Sequence, residues 1–436
     1  MQNVLTSVQG LSGSEADLGQ LNDFLKQHED FLAQNSARLN EALSVLDPTL
    51  HSLGWLYILS VKSRDNFSDN VTLYDFLLQT QRFLLNFSRN QIVAYAQDKF
   101  AHLCRRFTTL TIHIQQPKRA VRPLLNAVLK FQPTPECLTP VHADLMQVCL
   151  LSKCYSAALP VLRQDISEID PHRTSLVPKD LLLYFYYGGM VFIGLNKFKD
   201  AFDFFQLAFT APATVVSAIM IESYKKYILV SLIVHGLISP PPKYTTTTIL
   251  RLLKNSCGVY HEFATAYQTH SLADVQACAT ANIEKFQRDN NWGLVKQCVA
   301  SVSRRNIQRL TQTYLTLSLS DIAETCKLPS ARDAEMNVLR MIEMGEMFAT
   351  IDERDGMVSF REDPEQFDAN ITQERMEACM HTSMSIAAKL QRVHERVVSD
   401  PTYLSKVHVH DRQRYEPDDS GLDSTLERSS RAMFDV

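Results

Sequence analysis

Along residues 1 to about 300, apolar side chains recur at steps of three and four, so the chain reads as helix after helix. Proline and polar breaks punctuate the run at Asp47-Pro48, Gln132-Pro133-Thr134-Pro135, Asp170-Pro171 and Pro240-Pro241-Pro242. Ser271-x-x-Asp274 has the form of a capping box, and Leu272, Val275, Ala279, Ile283 and Phe286 follow it on one face. From Trp292 the pattern runs on through Val295, Val299 and Val302, and then the period changes.

One segment carries a sharper signal. Between Phe185 and Pro212, the positions of Gly189, Phe192, Ala201, Phe205, Ala208 and Pro212 stand close to the ~34-residue tetratricopeptide spacing. In that pattern a small residue lets two helices approach and aromatic rings fill the gap. Tyr155, Ala158 and Leu162 echo Phe198, Ala201 and Phe205 at an offset of 43 residues, which points to an irregular array. Units of this kind stack because none can bury its apolar face alone. A generic α-bundle is the alternative.

Residues 304–361 form a different unit. A helix over Arg304–Leu315 places Ile307, Leu310 and Tyr314 on one face, and Thr316-Leu317 is a candidate short strand. Ser318-x-x-Asp321 caps a second helix, with Leu319, Ile322, Ala323 and Cys326 inward. Ser330-x-x-Asp333 caps a third, with Ala334, Val338, Met341 and Ile342 inward and Gly345 near its end. Phe348–Ile351 and Met357–Phe360 then flank Asp355-Gly356, a hairpin signature. Three helices and a two-stranded wing make a winged helix.

Beyond Asp363-Pro364, residues Met376, Cys379, Ser383, Ile386, Leu390, Val393 and Val397 are separated by 3, 4, 3, 4, 3 and 4 positions. Such an a/d seam suits packing against other helices. The helix either lies back on its own domain or enters an intermolecular bundle. After Asp400-Pro401 the chain turns acidic and serine-rich, a composition that predicts disorder. The expected layout is mainly α: helical repeats over 1–198; a second domain over 199–367, helical to 303 and winged over 304–361; a bundle helix over 368–398; and a disordered tail over 399–436.

The most apolar stretches do not read as membrane spans. Leu181–Asn196 is too short, and Val215–Val234 holds Glu222, Lys225 and Lys226 in its middle, each costing roughly 2.5–3.5 kcal/mol at a bilayer centre. The chain has only 13 glycines in 436 residues, which suits long helices better than sheets. Its 44 Lys and Arg nearly balance 48 Asp and Glu, so no global field selects nucleic acid or an anionic membrane. The N-terminal Met1-Gln2-Asn3-Val4-Leu5-Thr6 has neither a basic n-region nor an apolar h-region, so no secretory signal is expected. Nine cysteines without a C-x-x-C argue for reduced thiols inside the cell.

Catalytic chemistry finds little purchase. No glycine precedes a lysine, which excludes a P-loop, and neither G-x-G-x-x-G nor G-x-S-x-G occurs. His142, Cys149 and Cys154 lie among leucines and read as core. His408-Val409-His410 with Ser420-x-x-Asp423 resembles the zinc motif of JAMM isopeptidases, but nine residues separate His410 from Ser420, too many for that motif. No catalytic residue, cofactor or metal is expected. The third winged-helix segment, Ser330–Met347, carries Arg332 and Arg340 against Asp333, Glu335, Glu343 and Glu346, a charge of −2 that repels phosphate. Arg304, Arg305 and Arg309 make a small basic cluster that a solvated face explains. Nucleic-acid binding is therefore disfavoured, and an exposed sheet edge remains as a docking element.

A helical array running into a winged helix and a terminal helix resembles the PCI-domain family. Its members are scaffold subunits of the COP9 signalosome, the proteasome regulatory lid and translation initiation factor three. Longer strings are similar to the signalosome branch: Tyr186-Tyr187-Gly188-Gly189-Met190, Glu222-Ser223-Tyr224-Lys225-Lys226-Tyr227, Arg288-Asp289-Asn290-Asn291, Asn306-Ile307-Gln308-Arg309 and Asp355-Gly356-Met357-Val358-Ser359-Phe360. Trp292, the Pro240–Thr248 loop and the tail depart from it. The resemblance implies a non-catalytic subunit of the complex that deneddylates cullins, in cytoplasm and nucleus, with the isopeptidase in another subunit and subunits one and eight as neighbours. It also implies docking through the wing (Phe348, Thr350, Ile351, Met357, Val358, Phe360) and the terminal helix (Met376, Cys379, Ile386, Leu390, Val393, Val397). A lid or initiation-factor scaffold is the nearest alternative, and a nucleic-acid-binding winged helix a more distant one.

Overall fold

The computed structural model describes residues 2–13, 17–35, 38–64, 70–213, 215–361 and 369–406. Among them are 23 α-helices and three short strands, β1 (Thr316–Ser318), β2 (Phe348–Asp352) and β3 (Met357–Arg361). The chain divides into two compact units, Met1–Met341 and Ile342–Val436. No described helix is long and apolar enough to cross a membrane.

In the first unit one contiguous core runs from Val4 to Val302. Each helix covers its apolar stripe with the next. Trp55, Phe83, Phe100 and Phe131, each from a different helix, form a continuous ring series with centroids 6.4, 6.3 and 4.9 Å apart. Further along, the helices Pro178–Gly194 and Phe198–Thr210 make the hairpin that the tetratricopeptide-like spacing predicts. A Cβ on Gly188 would stand 2.7 Å from the Phe204 ring, and one on Gly189 2.8 Å from the Phe205 ring. Only hydrogen leaves room for those rings. Gly194 takes the ring of Tyr155 in the same way, but Tyr155–Ala158 is a 3-10 turn leading into the short helix Leu159–Leu162, so the upstream echo is an abbreviated unit.

Helices in this glycine-poor chain end on other residues in the left-handed region. Asn196 (φ 59°) and Asn290 (φ 55°) are two of them. The next amides, Lys197 N–H and Asn291 N–H, reach back to the carbonyls of Phe192 (2.9 Å) and Phe286 (2.9 Å). This is the Schellman closure, and asparagine tolerates it better than most residues.

The Asn290 stop positions an ion network. Lys225, in the middle of the helix Ala218–His235, pairs with Glu222 (2.7 Å) and with Asp289 (2.8 Å). Tyr260 Oη donates to Asp289 (2.8 Å), and Asn291 Nδ2 donates to Tyr260 Oη (2.9 Å). The charges that interrupt the Val215–Val234 run thus meet the Asp289-Asn290-Asn291 string inside the array. Burial pushes the Asp289 carboxyl up, but hydrogen bonds from Lys225 and Tyr260 outweigh it and hold it below its ordinary value. Lys226 is different. Burial pushes its amine down to about 8, since its carboxylate neighbour, Glu222, stands 3.8 Å away. Nearer the N-terminus, Arg105 plays a similar part, spanning Asp144 (3.2 Å) and Asp180 (2.7 Å) from two other helices.

The next helix, Trp292–Thr311, is one continuous rod. It crosses residue 304, so the change of period there marks a change of neighbours within a helix. Leu310 is half-buried and Tyr314, beyond the helix end, is 46% exposed, so only Ile307 of the expected face is core. Arg305 on this rod donates to the carbonyls of Ile233 (3.0 Å) and Val234 at the end of the Ala218–His235 helix. Arg305 is therefore a C-terminal cap, which corrects the reading of it as part of a solvated basic face. After β1, Ser318 Oγ accepts from Asp321 N–H (3.1 Å) to open Leu319–Thr325, and Ser330 Oγ accepts from Asp333 N–H (3.2 Å) before Ala331–Glu343. Ser271 sits at the start of Leu272–Ala281, yet its side chain makes no cap hydrogen bond.

In the second unit, β2 and β3 form an antiparallel hairpin with Ile351 opposite Val358, and the turn between them ends on Gly356 at φ +64°. The helix Ala369–Val398 follows. Residues 401–406 are also helical, with Asp400 accepting from Thr402 N–H (2.8 Å). The expected disorder from residue 399 is thus corrected for 399–406, because this Asp-Pro-Thr sequence starts a new helical turn. The remainder, 407–436, lies outside the described residues.

The two lysines predict opposite outcomes. Lys225→Met strands Asp289, and should cost about 2 kcal/mol, below the range for a fully buried pair because both carboxylates keep some water. Lys226→Met leaves Glu222 still paired with Lys225, and should be neutral or stabilising by up to ~1 kcal/mol. That gain should be full below about pH 8 and fade as the pH rises toward 10.5, where the unfolded amine also loses its charge. Urea unfolding of both variants checks this; a loss for Lys226→Met equal to that for Lys225→Met would refute it.

Candidate functional site

Side chains with reactive potential are held as structure. His142 is fully buried, and burial pushes its imidazole down to about 4. It closes a reciprocal capping box with Thr139, Nδ1 lying 2.8 Å from Thr139 Oγ1 and accepting from Thr139 N–H at 3.1 Å. Burial pushes the Cys149 thiol up to about 12 and those of Cys137, Cys257 and Cys326 to about 11, which leaves them protonated and poorly nucleophilic at neutral pH. Among the described residues, no three His, Cys, Asp or Glu side chains gather as a metal ion requires. His408, His410, Ser420 and Asp423 lie outside the described residues.

The hairpin separates its candidate residues by face, as period two demands. Ala349, Ile351, Val358 and Phe360 share one face, and Val358 at its centre is fully buried. Phe348, Thr350 and Met357 share the other, where Phe348 and Thr350 are exposed. The six wing residues therefore cannot act as one surface, and Val358 is corrected from docking residue to core. What the wing offers is the outer edge of β2. That strand ends the sheet and pairs on one side, with β3. Five residues without proline leave its other row of backbone groups open to an extended strand.

The helix Ala369–Val398 presents a larger surface. Met376, Ile386, Leu390, Val393 and Val397 are all exposed, Leu390 at 67%, and Cys379 is exposed too. Of the side chains described from 372 to 398, none is buried. The a/d residues thus line one face of a 30-residue helix that buries none of them. The heptad reading missed Met380 and Met384, the latter 74% exposed. They stand four and eight residues after Met376 and widen the stripe in the first half of the helix. A 3.6-residue wheel, in place of a strict a/d count, would have found them.

Against known families, residues 15–249 match a sequence model described as COP9 signalosome complex subunit 3, N-terminal helical repeats. Residues 274–362 match the PCI domain. Over 417 residues the chain is 41% identical to COP9 signalosome complex subunit 3 of Arabidopsis thaliana, covering 95% of each chain. Over 386 residues it is 38% identical to the protein of the same name from Dictyostelium discoideum, covering 88% of this chain and 91% of that one.

An exposed seam has a consequence for the chain by itself. Leu390→Asp removes no packing, so its unfolding free energy should change by no more than about 0.5 kcal/mol, as for other surface positions. A buried leucine would instead lose ~2–5 kcal/mol on truncation alone. Thermal melts of the isolated chain decide, and a drop of several degrees would place the helix on its own domain.

Proposed function

The chain belongs to the COP9 signalosome subunit 3 family, whose members carry a PCI domain, and from that premise we propose that it is a non-catalytic scaffold of the signalosome. In this reading it helps assemble the complex that deneddylates cullins and so regulates cullin-RING ubiquitin ligases, in cytoplasm and nucleus. The isopeptidase centre belongs to another subunit, and subunits one and eight are the expected neighbours. The observation that carries the reading is the Ala369–Val398 helix, which keeps its apolar side exposed over its whole length. Water penalises that arrangement by roughly 25 cal/mol per Å² of apolar surface, and a partner that covers it recovers the difference.

Two elements divide the work. The terminal helix supplies apolar area, with Ile386 and Leu390 each able to contribute roughly 1.5–3 kcal/mol when fully covered. The β2 edge supplies direction, because backbone pairing fixes register and orientation but adds little area. The helical array holds both at the C-terminal end of a long core. A nucleic-acid reading loses support, since Arg305 is committed to helix capping and Met336 and Leu339 are exposed on the helix that would enter a groove.

Co-expression with sister subunits tests the proposal. Ile386→Asp with Leu390→Asp should reduce recovery of the assembled complex at least tenfold, because two charges would enter a dry interface. Residues 1–361 should stay folded. Wild-type recovery of the complex would sink the bundle reading.

A further inference from the structure

The charges of the terminal helix are sorted around its seam. With Met376 as position a, all four Lys and Arg of Ala369–Val398 fall on one flank: Arg375, Lys389 and Arg396 at g, and Arg392 at the adjoining c. The three glutamates, Glu374, Glu377 and Glu395, fall on the side away from that flank, at f and b. The other flank of the seam is apolar or neutral, with Met380 and Ala387 at e and Met384 at b. Arg375, Arg392 and Arg396 are exposed and Lys389 is half-exposed. No Asp or Glu stands three or four residues from Arg375 or Lys389, so the sequence supplies them no carboxylate along the helix.

We infer that the seam selects a partner helix bearing Asp or Glu opposite the Arg375–Lys389–Arg392–Arg396 flank, while the Met380–Met384 flank takes a second, apolar helix. This rests on the scaffold reading and names the chemistry of its partners. Charge complementarity at flanking positions is what sets partner choice and orientation where apolar seams alone would pair indiscriminately. A second copy of this chain does not satisfy the flank. In an antiparallel pair the two basic flanks would face each other, and in a parallel pair each would meet Met380, Ala387 and His394. An anionic membrane is a poorer fit as well, because the narrow a/d seam lacks the Trp and Phe of a helix that lies in a lipid interface.

The experiment uses the full chain co-expressed with its sister subunits. The charge-reversed variant Arg375→Glu, Lys389→Glu, Arg392→Glu, Arg396→Glu should enter the complex at least tenfold less well than wild type. A control with Glu374→Lys, Glu377→Lys and Glu395→Lys should enter normally. Circular dichroism of the isolated variants confirms folding. Should the reversed chain fail to fold, the wild-type complex itself serves: its dissociation should accelerate several-fold between ~0.1 and ~0.5 M salt, as screening weakens the flank contacts. Normal entry of the charge-reversed chain, or dissociation insensitive to salt, overturns the acidic partner. If Ile386→Asp with Leu390→Asp also enters normally, the seam falls with it; if that variant alone is excluded, the seam stands and only the charge selection fails. An isolated wild-type chain that sediments as a dimer, and returns to monomer on Leu390→Asp, would also overturn the inference. So would binding to phosphatidylserine vesicles that charge reversal abolishes while assembly is unchanged.

Discussion

An amphipathic helix cannot cover its own apolar stripe, and that constraint shapes the whole chain. In the first unit every stripe finds cover in a neighbouring helix. The Trp55–Phe83–Phe100–Phe131 ring series and the glycine-floored hairpin of Pro178–Gly194 and Phe198–Thr210 are two solutions to the same problem. The core that results is continuous over some 300 residues, from Val4 to Val302. The last helix is the exception. It has the longest run of turns and a seam as regular as any, and none of its described side chains is buried.

A second requirement follows from stacking helices so deeply: polar groups inside the stack must bring their partners with them. Lys225 sits mid-helix among buried residues, and Asp289, Tyr260 and Glu222 converge on it from three helical segments and a turn. Arg105 gathers Asp144 and Asp180, and Arg305 satisfies the carbonyls at the end of the Ala218–His235 helix. Such contacts do less for net stability than the apolar core, but removing one partner strands the other. They also fix which helix lies beside which, since a shifted register would leave a charge without its mate.

Much of this architecture is legible in the chain alone, because it rests on local rules. The Asp355-Gly356 turn, the Ser318 and Ser330 caps and the seam from Met376 to Val397 are each set by residues within a few positions of one another. The glycine-to-ring contacts at Gly189 follow from one repeat spacing. What escapes the sequence depends on partners distant in the chain. Arg305 looks like surface until the end of a helix 70 residues earlier meets it, and the rod through residue 304 looks like two helices because its neighbours change midway. Val358 looks like an edge residue because alternation gives two faces without saying which is inward. Met380 and Met384 escape because a seam of strict heptads assumes one partner. Ser271 shows the converse failure, a capping motif whose geometry is not used.

The central claim is that the Ala369–Val398 helix is built to be covered by other chains. Amide hydrogen exchange across residues 369–398, compared between the isolated chain and the assembled signalosome, tests it most directly. An uncovered helix opens locally at low free-energy cost, while a helix packed in a bundle exchanges only with the larger unit that holds it. The account predicts fast exchange over these residues in the isolated chain and protection greater by at least a hundredfold in the complex, with Lys225 and its neighbours protected in both. Equal protection of the terminal helix in the two states would contradict it.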